Sequence, residues 1–287
     1  MGVLFKQMAV VGVGLIGGSL SKAVKERNLV GEILGVGRNE ERLKRAKEQS
    51  IIDKYSACVD ETLGEADLVV VATPVGIIVD QIRELIPCLK KGCIITDVGS
   101  VKKKLVQDVE KYMPESLHFV GGHPIAGTEN SGFEASFSTL FEGRKCILTP
   151  VETTNPHAVE KVKELWSRVG ATVVCMDGDE HDEVLAAVSH LPHIIAYSLV
   201  NSLLEIEGFE ETILSFAAGG FKDFTRIAAS HPEMWRDIAI MNKEKLLSAI
   251  NLFQAYLDEL KEAIAGEDTE KLFSEFQKSR RFRRSMQ

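Results

Sequence analysis

The sequence is short of several features, and each shortage excludes a class of protein. Cysteine occurs five times in 287 residues, at positions 58, 88, 93, 146 and 175, an odd and scattered set without a C-x-x-C spacing. Neither a disulfide framework nor a thiolate zinc site is expected from it, and a reducing, cytoplasmic location is. Positive charge is also short: 34 Lys and Arg face 42 Asp and Glu, a net charge of −8. Nucleic acid selects the opposite balance and is not an expected partner. The one dense basic cluster, Arg280-Arg281-Phe282-Arg283-Arg284, reads as a solvated helix end. No run of 18 apolar residues occurs, so no membrane span is expected. Residues 8–15 imitate a short signal core, but glycines interrupt them and no small-residue cleavage site follows. What remains is an ordinary globular composition, 45% hydrophobic and 26% charged, with room for two domains.

Gln7-Met8-Ala9-Val10-Val11 reads as a buried strand, followed at once by Gly12-Val13-Gly14-Leu15-Ile16-Gly17. A G-x-G-x-x-G between a strand and a helix near the N-terminus is a dinucleotide-binding turn. Gly12 permits the tight turn, Gly14 lets the backbone approach a pyrophosphate, and Gly17 lets helix and strand pack closely. Helix 15–27, opening on Leu15 and Ile16, points its amides at the phosphates. The second strand, 32–36, ends in Gly37-Arg38-Asn39, where a carboxylate for the ribose hydroxyls of NAD is usual. Arg38 can pair with a 2′-phosphate or stack on adenine, so NAD and NADP both stay open and dual use is expected.

Strands and helices go on alternating. Strand 67–72 closes in Thr73-Pro74-Val75 before helix 76–89, and strand 93–97 leads into Val98-Gly99-Ser100-Val101-Lys102 ahead of helix 101–112. This pattern implies a parallel sheet with helices on both faces. Segments 145–149 and 172–176 read as the last strands, with helix 156–169 between them. After strand 117–120 comes Gly121-Gly122-His123-Pro124-Ile125-Ala126-Gly127-Thr128-Glu129. Its glycines and proline argue against a helix or a paired strand, leaving a fixed loop that presents one imidazole. His123 and Ser100 both fall just past the carboxyl end of a strand, where open α/β sheets bind ligands. His123 is a candidate base, and Ser100 is a candidate ligand or helix cap.

From Asp179 onward the apolar residues keep helical spacing, with Asp179 or Asp182 as the cap and a kink predicted at Pro192. Helices 243–265 and 269–282 follow, with Gly266 as a stop between them. So much apolar helix predicts burial against a second subunit, a homodimer. Ser189-His190-Leu191-Pro192-His193 places two histidines three apart. With no third ligand at a suitable spacing, they read as buried, hydrogen-bonded or substrate-binding groups rather than metal ligands. Gly219-Gly220-Phe221-Lys222-Asp223-Phe224-Thr225-Arg226 presents an Arg suited to a carboxylate, with a surface ion-pair cluster as the alternative.

Together with Met234-Trp235-Arg236-Asp237, these stretches resemble, in order and over nearly the whole chain, the prephenate/arogenate dehydrogenase family of tyrosine biosynthesis. The resemblance implies an α/β fold: a Rossmann-like doubly wound parallel sheet over residues 1–177, then an all-helical dimerisation domain over 178–287. It implies an active site between the two, NAD as the favoured cofactor with NADP permitted by Gly37-Arg38, and contacts from Thr73 and Pro74. The implied reaction is oxidative decarboxylation of a cyclohexadienol. In it, His123 takes the ring hydroxyl proton and Ser100 orients that hydroxyl. Arg226 holds a carboxylate and His193 contacts the side-chain end, with Ser189, His190, Lys222 and Thr128 around them. Glu129 and Asp223 are expected in ion pairs that shape the cleft. Neither an ACT domain nor a fused chorismate mutase is expected, so feedback by tyrosine would act at the active site. The rival readings are an arogenate or dual-substrate enzyme, a β-hydroxyacid dehydrogenase, and a nucleotide-sensing protein without turnover. The second of these uses a catalytic lysine where this chain has His190 and His193.

Overall fold

The computed structural model describes residues 2–128, 130–206 and 215–286, in two compact units divided after Asn242. The first unit begins with strand β1 (Phe5–Val11), helix α1 (Leu15–Glu26), β2 (Val30–Val36), α2 (Glu40–Glu48) and β3 (Lys54–Ser56). It continues through β4 (Leu68–Val71), α3 (Ile78–Leu85), β5 (Ile94–Asp97), α4 (Lys103–Glu110) and β6 (His118–Val120). These six strands form one parallel sheet in the order β3-β2-β1-β4-β5-β6, so the chain reverses direction on either side of β1. Alternation of side chains along each strand builds two cores. Met8, Val10, Ile33, Leu68 and Val70 pack on one face with Leu20 and Val24 of α1, and Ala9, Val11, Leu34, Val69 and Val71 pack on the other with α3 and α4.

The segment holding His123 departs from the loop expected of it. Gly122–Pro124 forms β7, paired antiparallel with β8 (Lys145–Leu148), with His123 opposite Ile147. Helix α5 (Pro156–Arg168) and β9 (Thr172–Cys175) complete a separate three-stranded sheet, β7-β8-β9. The last two predicted strands therefore do not extend the parallel sheet. Two glycines make the transfer possible: a Cβ on Gly121 would lie 2.6 Å from Thr149 Oγ1, and one on Gly122 would lie 2.9 Å from the Asp97 carbonyl oxygen. Pro124 is tolerated because β7 is an edge strand, where a missing N–H breaks no ladder.

The long apolar pattern forms one helical run, α6 (Gly178–Leu185), a π turn (Ala186–His190) and α7 (Leu191–Leu204). Its cap is Asp177, which accepts from the amides of Asp179 and Glu180, and not Asp179 or Asp182 as expected. The irregularity anticipated at Pro192 is this π turn just before it, a common way for a helix to absorb a misfit. The run is 27 residues long and apolar enough to cross a membrane, but only 22% of its most apolar stretch is buried, so it is no ordinary core helix. The unit ends with α8 (Gly219–Thr225) and α9 (Pro232–Met241). Trp235 and Ile238 of α9 join the second core, and Gly76 leaves room for Asp237, whose Oδ2 would meet a Cβ there at 2.6 Å.

The second unit is a hairpin of α10 (Lys243–Ala265) and α11 (Thr269–Ser285). Gly266 ends α10 as expected, although the left-handed residue of the turn is Glu267 (φ 51°). Asp268 caps α11 by accepting from the Lys271 amide. Leu252, Ile264, Phe273 and Phe276 are all more than half exposed.

Candidate active site

At the carboxyl end of β1 the glycine turn takes the conformation its sequence implies. Gly12 has φ 93°, and a Cβ there would meet the Ala72 carbonyl oxygen at 2.7 Å. A Cβ on Gly17 would approach the Gly12 carbonyl oxygen to 2.4 Å, so α1 can rest on β1 only without one. At Gly14 a Cβ would meet nothing within 4 Å. The bare side of Gly14 faces a cleft of about 420 Å³, which Leu15, Ile16, Thr73 and Pro74 also line. A crowded pair of glycines behind a bare one at a helix N-terminus fits the pyrophosphate of a dinucleotide. Arg38 lies exposed beyond the end of β2, outside the lining, while its neighbour Asn39 is committed to capping α2.

Ser100, His123 and Thr128 line the same cleft, so the two groups expected at strand ends do converge. Ser100 is not the cap of α4. That helix starts at Lys103, and its first amides, those of Lys102 and Lys103, donate to Asp182 Oδ1 (2.8 Å) and Oδ2 (3.0 Å). Asp182 is thus the cap of a helix 80 residues upstream of it.

His123 is 8% exposed and its Nδ1 lies 2.8 Å from Nε2 of His181. His181 is fully buried, and its Nδ1 lies 2.8 Å from Asp182 Oδ1. Below β7, a buried ion pair of Lys102 with Asp97 clamps the backbone: Asp97 Oδ1 accepts from the Gly122 amide at 3.0 Å, and Lys102 Nζ donates to the Gly122 carbonyl at 2.9 Å. Burial pushes the His123 imidazole well below its ordinary value of 6.5, helped by His181 and Lys102, so the ring is neutral at pH 7. Burial also lowers the Lys102 ammonium, against the pull of Asp97.

Ser189, His190, His193, Lys222, Asp223 and Arg226 occupy the helical part of the first unit and are not among the residues that line the cleft. His190, at the end of the π turn, accepts at Nδ1 from Asn242 Nδ2 (3.1 Å), which also donates to the Asp182 carbonyl oxygen (2.8 Å). His193 Nδ1 donates to the Ser189 carbonyl oxygen (2.9 Å), and its ring stacks on Trp235 at a centroid distance of 3.6 Å. Lys222 and Asp223 are exposed on α8, and Arg226 directly follows that helix. Glu129 lies outside the described residues. Sequence reasoning missed His181 and Asn242, offered Asp182 or Asp179 as a cap of its own helix, and gave no role to His231, Glu233 or Met234, which also line the cleft. The adjacent His181-Asp182 ahead of a long apolar helix was the one available signal.

A bare glycine turn opening on the same cleft as a buried, neutral imidazole defines a dinucleotide-dependent oxidoreductase. The comparisons narrow the class. Residues 20–175 match the model of the prephenate dehydrogenase nucleotide-binding domain, and residues 177–278 match that of the prephenate dehydrogenase dimerization domain. The chain is 38% identical to the prephenate dehydrogenase of Bacillus subtilis, over 95% of this chain and 74% of that one. It is 36% identical to the cyclohexadienyl dehydrogenase of Zymomonas mobilis, over 98% and 96%. The crystal structure of Aquifex aeolicus prephenate dehydrogenase, solved with hydroxyphenyl propionate and NAD+, superposes with a TM-score of 0.93 at 39% identity, covering 98% of both chains. The chain belongs to the prephenate dehydrogenase family.

Burial of neutral histidines makes the fold sensitive to acid. Burial takes His190 from 6.5 down to about 4. Its contribution to stability is therefore complete above pH 6.5 and is lost as the pH falls toward 4, because the unfolded chain binds the proton first. At pH 5 the loss is about 2 kcal/mol. Urea unfolding at pH 7.5 and 5.0 should show it, with a smaller difference in His190→Gln; an equal difference in both proteins contradicts the assignment.

Proposed function

We propose that this chain oxidises prephenate to 4-hydroxyphenylpyruvate, with NAD as the acceptor and loss of CO2. The observation that carries the reading is the neutral imidazole of His123, held on the cleft onto which the glycine turn opens. Bound along that turn, the dinucleotide supplies the hydride acceptor. His123 removes the proton from the ring hydroxyl as the hydride leaves the same carbon, and the Ser100 hydroxyl orients that oxygen. The resulting ketone sits opposite the ring carboxylate. Loss of CO2 leaves its bonding pair in the ring, and the oxygen recovers its proton from His123 as the phenol forms. His123 ends as it began, and no net proton is released. Arg226 holds a substrate carboxylate, His193 the side-chain end, and Ser189, His190, Lys222, Glu129 and Asp223 shape the surroundings. In this division of labour residues 1–177 bind the nucleotide and residues 178–287 bind substrate and pair the subunits.

The outward side of the long helix, with Val188 at 68% and Leu204 at 60% exposure, supports an interface with a second copy. Light scattering at micromolar concentration should give twice 31.6 kDa, and a monomer contradicts the interface. The five cysteines are all free, which suits a reducing compartment such as the cytoplasm.

The test is reduction of NAD, and separately NADP, by the purified protein given prephenate. Turnover is expected, and the ratio of the two kcat/KM values reports what Arg38 does. Turnover with arogenate alone would move the chain to the dual-substrate or arogenate reading, and silence with both substrates contradicts the reaction. His123→Asn should lower kcat by about 10²–10⁴-fold with little change in KM. Arg226→Ala should raise KM strongly, and an unchanged KM contradicts its carboxylate role.

A further inference from the structure

His123 acts on substrate through one ring nitrogen, and what lies on the other nitrogen decides which. A neutral imidazole carries one N–H and one lone pair. The chain of contacts starts from Asp182, a carboxylate and hence an acceptor, so the His181 Nδ1 that lies 2.8 Å from it is a donor. With that ring neutral, its one lone pair is on Nε2. At 2.8 Å it can only accept from Nδ1–H of His123. The lone pair of His123 is left on Nε2, the nitrogen with no partner in this relay.

We propose that His181 and Asp182 are positioning residues that hold His123 in its Nδ1–H form and so keep Nε2 as the base. This rests on the reading of His123 as the group that takes the substrate proton. On proton transfer Nε2 gains the hydroxyl hydrogen and Nδ1 keeps its own. The positive charge on His123 then lies one imidazole away from the Asp182 carboxylate. That carboxylate is held in place independently, by the amides of Lys102 and Lys103 at the start of α4. The other titratable groups facing His123 are His190 on the π turn, Lys102 before α4 and Cys146 on β8, with Asp97 behind Gly122. Neither Lys102 nor Cys146 provides a competing acceptor: Lys102 Nζ is committed to Asp97 and the Gly122 carbonyl, and burial keeps the Cys146 thiol protonated. The opposite tautomer would set two lone pairs against each other across 2.8 Å.

The test reads the proton directly. In full-length protein labelled with 15N-histidine, long-range 1H–15N correlations should place the hydrogen of both His123 and His181 on Nδ1. A hydrogen on Nε2 of His123 overturns the proposal, whatever the protein turns over. In kinetics, His181→Leu removes the acceptor, whereas His181→Gln keeps an oxygen near the same place. The Leu variant should lose about 10- to 10³-fold in kcat with KM nearly unchanged, and Gln should recover most of it. A Leu variant with wild-type kcat overturns the relay. Should that variant not fold, the wild-type tautomer still decides. Wild-type protein without turnover would count against the substrate reading alone, since the tautomer is measured with no substrate present.

Discussion

One carboxylate holds the site together. Asp182 sits 3% exposed on the long helix and accepts three N–H groups, from the backbones of Lys102 and Lys103 and from the ring of His181. A buried anion is costly unless every lone pair is used, and here the amides and the partial positive charge at the start of α4 meet that cost. The same contacts tie the end of β5, where the nucleotide-binding half presents Ser100, to the helix that carries His181. Shortening or neutralising this one side chain would release a helix terminus and an imidazole at once.

A second buried device fixes the other side of His123. The Asp97–Lys102 pair grips the amide and carbonyl of Gly122, so the residue before His123 cannot slide along β8. Two constraints, one on the backbone and one on the ring, leave the imidazole few alternatives. Burial then keeps it uncharged, which is the state a base needs. The arrangement trades stability for poise: a buried ion pair seldom adds net stability, and its value lies in the position it enforces.

What the sequence made legible was local. Gly12, Gly14 and Gly17 declare their roles because the strand, turn and helix they need are immediate neighbours in the chain. Ser100 and His123 could be placed on one cleft because strand ends in a parallel sheet converge. The errors came where a distant partner decides. Gly122–Pro124 pairs with β8 only because an edge position forgives proline, and residues more than 20 positions away supply that edge. Asp182 looked like a cap for its own helix, and it caps one about 80 residues earlier. His181 was marked in the sequence only by its neighbour Asp182, since its contact with His123 spans 58 residues. Arg226 and His193 had the chemistry of substrate ligands in the sequence, yet neither is among the residues that line the cleft on which Gly14 opens.

Its surroundings hold His123 neutral well below the usual range of histidine, as the role of base proposed for it requires. The direct measurement is the pH dependence of kcat/KM for prephenate at saturating NAD. A group with a lowered value is in its active form above that value, so activity should stay level as the pH falls through 6.5 and decline only at lower pH. A decline centred at 6.5 or higher would show that burial does not hold the imidazole neutral, and its reactivity would then need another source.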